Sequence, residues 1–206
     1  KIDSRGLKFE AVSHAQLENL VIQKEQETDT LRETLPYLIK QLESIAAAGK
    51  SKSKVLYYTG IDGLKQVQWN SLRAHGELLI YEIKNMAAFL PQEYCEKVRR
   101  ELVERQIHVR ELTNQTKVKD WTEVRELVLQ YWQVRHVPPE KLEMKFEVMI
   151  YNDIYAMYAY QEGEIFCVEI YNQNLAVMQK QLFDFVWHTA VPMKIVNERG
   201  VAEIEA

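Results

Sequence analysis

"DIYAMYAYQEGEIFCVEIYNQNLAVMQKQLFDFVW", residues 153–187, is the stretch on which the fold turns. Aromatic and aliphatic residues run from Ile154 to Tyr160, break at Gln161-Glu162-Gly163, and resume from Ile165 to Tyr171. Two β-rich runs on either side of a short Gly-containing break read as strand, turn and strand. After Asn172 the apolar spacing becomes helical and ends in an aromatic Phe–Trp pair, so a helix is predicted over 173–190. Whether this stretch closes a catalytic domain depends on the residues just before it.

Upstream, strands and helices alternate. Strands are predicted at 54–60, 77–83, 107–113 and 133–138, with helices at 61–76, 92–106 (after Pro91) and 121–132. A further strand near 145–152 precedes those at 154–160 and 164–171. Such alternation predicts an α/β domain with a mixed, mainly parallel sheet and helices on both faces. The late run of strands joined by short turns adds an antiparallel portion. The last residues, "VPMKIVNERGVAEIEA", are weakly patterned and leave an edge strand or a disordered tail open.

The start of the chain is different. Leu7, Phe9 and Ala11 alternate with polar residues as in a short strand, and Ser13 with Gln16 forms a capping box that starts a helix. Leu17, Val21, Lys24, Thr28, Leu31, Leu35, Leu38, Leu42 and Ile45 then follow 4-3-4-3 spacing to about Ala48. That is a coiled-coil seam with two polar places, which predicts pairing with a second copy of the chain. An amphipathic helix lying on its own domain has the same pattern. Pro36, inside it, predicts a kink or restart. "AAAGKSKSK" at 46–54 reads as a linker.

Composition narrows the function. The 206 residues are 47% hydrophobic and 27% charged, values of a globular chain with a core. A net charge of −4 gives no overall attraction to nucleic acid. Cys95 and Cys167 are too few for a disulfide framework, so a reduced, cytoplasmic setting is expected. No apolar run reaches the roughly 18–20 residues of a membrane span. Lys1 in place of an initiating methionine suggests a piece of a longer protein.

The chemistry-bearing motifs are few. His14, His75, His108, His136 and His188 show no metal-ligand spacing, and no nucleotide loop or hydrolase elbow occurs, so no cofactor and no metal are expected. "YTGIDG" (58–63) is either an anion-binding helix start or a tight turn. Glu96, Glu101 and Glu104 read as solvated helix-face residues. Glu82, Arg110, Glu147 and Glu169 interrupt apolar strands, where a charge must face solvent or be paired. With Tyr58 they are the candidate ligand-binding residues, because open α/β sheets bind ligands at strand ends.

Taken in order, these segments resemble the C-terminal part of TrmB-like transcriptional regulators. "GLKFEAVS" resembles the last wing strand of a winged helix, "LRETLPYLIKQLESIAA" the Leu-Pro end of the linker helix, and "KVLYYTGIDGLKQV" the opening of the effector domain. "IHVRELT" resembles the central strand of that domain, and "VEIYNQNLAVMQKQLFDFVW" its closing strand and helix. The resemblance implies a wing remnant at 1–12, a dimerisation helix at 13–49, a phospholipase-D-like effector domain at 50–190 and a tail at 191–206. It implies a cytoplasmic homodimer, a small-molecule effector, and DNA contact only through a winged helix mostly absent from this chain. The little chain beyond Ala190 argues against a sugar effector.

Active phospholipase-D-like enzymes carry HxKxxxxD before such a hairpin, the histidine as nucleophile and the lysine holding phosphate charge. Here the slot is "KFEVMIYN": Lys145 stands for the histidine, Glu147 for the lysine and Asn152 for the aspartate. A carboxylate at the phosphate clamp would repel the substrate. The expectation is therefore a regulatory module with no catalytic residue and no enzymatic activity. Two alternatives are a phosphodiesterase using His108 or His188, and a pure protein-interaction module.

Overall fold

A computed structural model describes residues 14–46, 53–161 and 164–205. The wing-strand remnant, the capping box and most of the linker lie outside these. The chain separates into two compact units, Lys1–Ser51 and Lys52–Ala206.

The first unit is one helix, α1 (His14–Ala46), 33 residues long with Pro36 inside it. At 1.5 Å per residue it spans roughly 50 Å. The expected restart at Pro36 is not seen; helical assignment is continuous through it.

The second unit is built on strands β1 (Lys54–Thr59), β2 (Glu77–Glu82), β3 (His108–Thr113), β4 (Lys117–Val118), β5 (Trp132–His136), β6 (Glu147–Tyr151), β7 (Ile154–Gln161), β8 (Glu164–Tyr171), β9 (Val191–Ile195) and β10 (Ala202–Ile204). Helices α2 (Gly60–Ser71), α3 (Gln92–Glu104) and α4 (Gln173–Thr189) complete it. The strand order is β1-β8-β7-β6-β2-β3-β5-β9-β10-β4. Only β2–β3 and β3–β5 pair in parallel, so the sheet is mixed but mainly antiparallel, against expectation. Hairpin-type neighbours outnumber crossovers because β6, β7 and β8 follow one another through short turns. The β6–β7 turn is made by Asn152, whose φ of 45° is one asparagine tolerates.

Period-2 alternation sorts the strand residues onto two cores. Leu78, Val109, Met149 and Tyr151 face α2 and α3, packing with Leu64, Val67, Cys95, Val98 and Leu102. Leu79, Leu112, Val148 and Ile150 face α4, packing with Phe183 and Trp187. In α3 the buried stripe is Cys95, Val98, Arg99 and Leu102, so a guanidinium occupies a core position of an otherwise apolar face.

The helix expected at 121–132 is shortened to 125–131 and ends in a π-helical turn, Leu127–Tyr131, running straight into β5. The residues ahead of it are tied to other elements: Trp121 N–H and Thr122 N–H both reach Arg199 O, and Glu123 N–H reaches Glu96 Oε2. The C-terminal residues are ordered as β9 and β10, pairing with β5, with each other and with β4.

The turn before β10 requires glycine. Gly200 has φ of +89°, and a Cβ there would clash with Trp121 Nε1. Gly200→Ala is expected to cost about 2 kcal/mol or more, because left-handed backbone and a clash with a half-buried indole combine. A urea melt of the full chain, followed by near-ultraviolet circular dichroism, checks it.

Candidate functional site

The C-terminal ends of β2 and β3 border an open cleft of ≈ 730 Å³, where open sheets commonly bind ligands. Its lining includes Glu82, Lys84, Asn85, Gln115, Lys119 and Trp121. Glu82 lies at its floor and also borders a small void of ≈ 50 Å³ beneath α3, shared with Arg99, Glu111 and Trp132. Alternation along β2 and β3 places Glu82 and Glu111 on the α3 side of the sheet. Glu147 begins β6 at the same end, because β6 runs antiparallel to β2.

Three carboxyls therefore share one water-poor region. Glu147 Oε1 accepts from Ile83 N–H at 2.9 Å and Lys84 N–H at 2.7 Å, while Oε2 has no partner among the described residues. Glu111 accepts from Trp132 Nε1 at 2.8 Å. Burial pushes the Glu82 carboxyl up to about 7, against the pull of Arg99 and a hydrogen bond with Glu111. Burial, then the charge of Glu82, holds Glu111 and Glu147 well above the usual carboxylate range. Burial thus favours the protonated form of all three carboxyls.

Arg99 is the counter-charge. It donates to Glu96 at 2.7 Å and to Asn85 at 2.9 Å, with its guanidinium carbon 4.8 Å from the Trp121 ring centre. Glu96 is buried rather than solvated as expected, because Thr122 Oγ1 and Glu123 N–H also donate to it.

The five candidate residues fall in three places. Glu82 and Glu147 come together. Tyr58 and Glu169 form a second group: Glu169 is fully buried and accepts from Tyr58, Tyr151 and Tyr171 hydroxyls and from the Asn70 amide. β8 lies three places from β2 in the sheet, roughly 14 Å at ordinary strand spacing. Gly63 secures this second group, since a Cβ there would meet Tyr58 Cβ at 2.8 Å. Arg110 is on the opposite face, paired with Glu77 at 2.6 Å and Asp184 at 2.9 Å, beside the Phe183 and Trp187 rings.

Sequence reading missed Glu111 and Arg99, though both carry a signal. Glu111 shares a strand face with Val109, and Arg99 completes the i, i+3, i+4, i+7 stripe of Cys95, Val98 and Leu102.

In the slot where the resemblance placed a nucleophile, Lys145 is exposed and 3.1 Å from the Glu143 carboxylate. Asn152 serves the turn, accepting from His75 N–H and donating to Arg73 O. His108 packs against Tyr131, and His188 contacts Asp184 O on α4; neither lines the cleft. Among the described residues no group of His, Cys, Asp and Glu could hold a metal ion. No described helix is long and apolar enough to cross a membrane.

Of the seam, Leu17, Val21, Leu31, Leu35 and Leu38 are exposed. Lys24 pairs with Glu27 at 2.6 Å, and Thr28 Oγ1 donates to Lys24 O. The Leu42 and Ile45 side chains lie outside the described residues.

The raised carboxyls have a sign that can be tested. Their contribution to stability is complete below the unfolded value of about 4.3 and is lost as pH rises through the folded values, near 7 for Glu82. Glu111→Gln keeps the acceptor for Trp132 and removes one titrating group. Its stability relative to wild type should therefore rise between about pH 5.5 and 8.5, which urea melts at the two pH values measure.

No family model matches the chain, and no curated protein matches it. Among solved structures, Nuc from Salmonella typhimurium, a phospholipase D family member, is 9% identical with a TM-score of 0.50, covering 68% of this chain and 97% of its own. TrmBL2, an archaeal chromatin protein that binds DNA, is 15% identical with a TM-score of 0.45, over 87% of this chain and 71% of its own. NucT from Helicobacter pylori is 11% identical with a TM-score of 0.47, over 68% of this chain and 99% of its own. The expectation that the chain is not an enzyme does not stand, since a phospholipase D family member shares its fold. Repulsion of phosphate by Glu147 also needs an ionised carboxylate, whereas burial disfavours that form and raises its pKa well above the usual carboxylate range. The domain has the phospholipase-D-like fold, a mixed sheet with helices on both faces.

Proposed function

We propose that the chain is the regulatory portion of a TrmB-like transcriptional regulator, in which α1 joins two copies and the α/β domain responds to a small molecule. The observation that carries the reading is the apolar stripe of α1. Leu17, Val21, Leu31, Leu35 and Leu38 recur at coiled-coil spacing on one helix and are each about half exposed or more. Five such residues in line on a helix of 33 form an exposed apolar patch of the kind that marks an interface.

The domain supports the second half of the reading through its cleft. Charged and aromatic residues line it at the strand ends, and it is neither filled nor apolar, which favours sensing over a pure protein-contact role. DNA contact enters only through a winged helix joined ahead of α1. A ligand shifts the geometry of two such heads only if it binds the two arrangements unequally.

Light scattering of the full chain and of a chain starting at Ser51 tests the pairing. A dimer that becomes a monomer on truncation is expected. Leu31→Lys with Leu35→Lys should also give a monomer, because two charges in an apolar seam each lose several kcal/mol of favourable burial. Monomers throughout would overturn the reading.

A further inference from the structure

We propose that the groove between α4 and the sheet, floored by Tyr81 and Tyr155, binds an uncharged, flat apolar molecule carrying one hydrogen-bond acceptor. The groove lies on the opposite face of the sheet from the cleft to which the regulatory reading assigns sensing. The proposal goes beyond that reading and stands independently of it.

Strand register sets the floor. Tyr81 on β2 stands opposite Val148 on β6, which stands opposite Met157 on β7, so the three form one row across the sheet. Tyr155 is two residues from Met157 along β7 and shares its face. Leu182 and Phe185, about one helical turn apart on α4, make one wall, and Phe146, just ahead of β6, makes another. The space they bound is ≈ 370 Å³. That is roughly the share of a dozen waters, enough for two fused aromatic rings with a short substituent. The chain leaves the walls uncovered, since Phe146 is 36% exposed, Leu182 49% and Phe185 74%.

Two hydroxyls give the groove its polar end. On the other side of the sheet Tyr58, Tyr151 and Tyr171 donate to Glu169, Tyr158 accepts from Gln68, and Tyr94 donates to Lys65 O. Tyr81 and Tyr155 have no hydrogen-bond partner among the described residues. Nor are their oxygens sealed from solvent, because the sealed and unpartnered atoms among the described residues are Arg99 Nε and Glu147 Oε2. A ligand in the groove can therefore reach both hydroxyls. Burial, with the neighbouring Tyr155 adding to it, pushes the Tyr81 phenol up to about 12, and burial raises that of Tyr155. Both remain O–H donors around neutral pH.

The same lining selects an uncharged ligand. Its one formal charge is Lys145, whose side chain is 67% exposed and lies 3.1 Å from the Glu143 carboxylate. An exposed ammonium already paired offers little to a bound ion, and the Met and Phe walls would leave the desolvation of that ion unanswered. A ketone oxygen loses much less on leaving water, and a phenol O–H replaces the hydrogen bond it gives up. Met144 and Met157 are flexible enough to close on a flat ring system.

2-Acetylnaphthalene, titrated into the full chain and followed by calorimetry and saturation-transfer NMR, tests the site. A Kd of about 0.1 mM is expected. Tyr81→Phe with Tyr155→Phe keeps the shape of the floor and removes hydroxyls that bond nothing in the protein, so it should fold as wild type. It should weaken the ketone about fivefold or more, whereas naphthalene, which has the rings and no acceptor, should bind both chains within about twofold. Leu182→Glu sets a charge in the wall at a half-exposed position and should abolish binding of both probes while near-ultraviolet circular dichroism is unchanged. No binding at about 1 mM ketone, an equal loss of ketone and naphthalene in the Tyr→Phe pair, or unaltered binding in Leu182→Glu would each overturn the proposal. A lower molar mass of Leu182→Glu in light scattering would assign the groove to a second copy of the chain and overturn the choice of a small molecule. Leu31→Lys with Leu35→Lys should bind the ketone as wild type does, so loss of the dimer and loss of the site are read separately. Weakened binding in that variant would place the probe on α1 and overturn the site.

Discussion

One guanidinium under α3 limits what the sheet can carry on that face. Arg99 is sealed against Glu96, Asn85 and the Trp121 ring, and it is the single Lys or Arg among the buried described residues. Four buried glutamates share the same side, Glu96, Glu111, Glu147 and Glu169, with Glu82 at the edge. One positive charge cannot answer five negative ones in a medium where desolvation costs several kcal/mol per ion. Neutrality must come from protons and from hydrogen bonds, and the arrangement of the domain follows from how each is distributed.

The two groups of carboxyls reach that end differently. Glu169 is surrounded by three tyrosine hydroxyls and an asparagine amide, so every lone pair has a donor and the group is a closed structural node. Glu82, Glu111 and Glu147 have fewer donors, and burial raises their pKa instead. Where donors are complete, the residue is structural; where they are not, the residue remains able to respond. Tyr58 belongs to the first kind, and its shared face with Glu147 does not bring it into the second. Arg110 belongs to neither, because one step along β3 turns it to the α4 side, onto two aromatic rings and two carboxylates.

Much of the architecture was legible because it rests on period. The strands at 54–59, 77–82, 108–113, 154–161 and 164–171, and the helices α3 and α4, show their alternation or stripe directly. Local pattern could not reveal that Trp121 and Thr122 are tied through their N–H groups to Arg199, ahead of a helix shortened to 125–131. Nor could it show that "VPMKI" and "AEI" pair with strands far away in the chain. Strand direction was misjudged for the same reason: parallel and antiparallel neighbours have the same alternation, and only the turns between β6, β7 and β8 betray the second. Of the site, Glu82 and Glu147 were readable as charges on apolar strands. Glu111 was hidden behind its neighbour Arg110, since adjacent charges on a strand point to opposite faces and the sequence does not say which is inward.

The attachment of Trp121 to the β9–β10 turn sets an order of events during synthesis. The cleft wall at Trp121 hangs on Gly200 O and Arg199 O, which leave the ribosome after every helix of the domain. Until then the indole that covers Arg99 lacks its hydrogen bond to the β9–β10 turn and rests on Trp132 alone. A nascent chain arrested before that turn carries a nearly complete sheet with that bond unmade, so closure of the cleft is a late, single step rather than a gradual accompaniment of sheet growth.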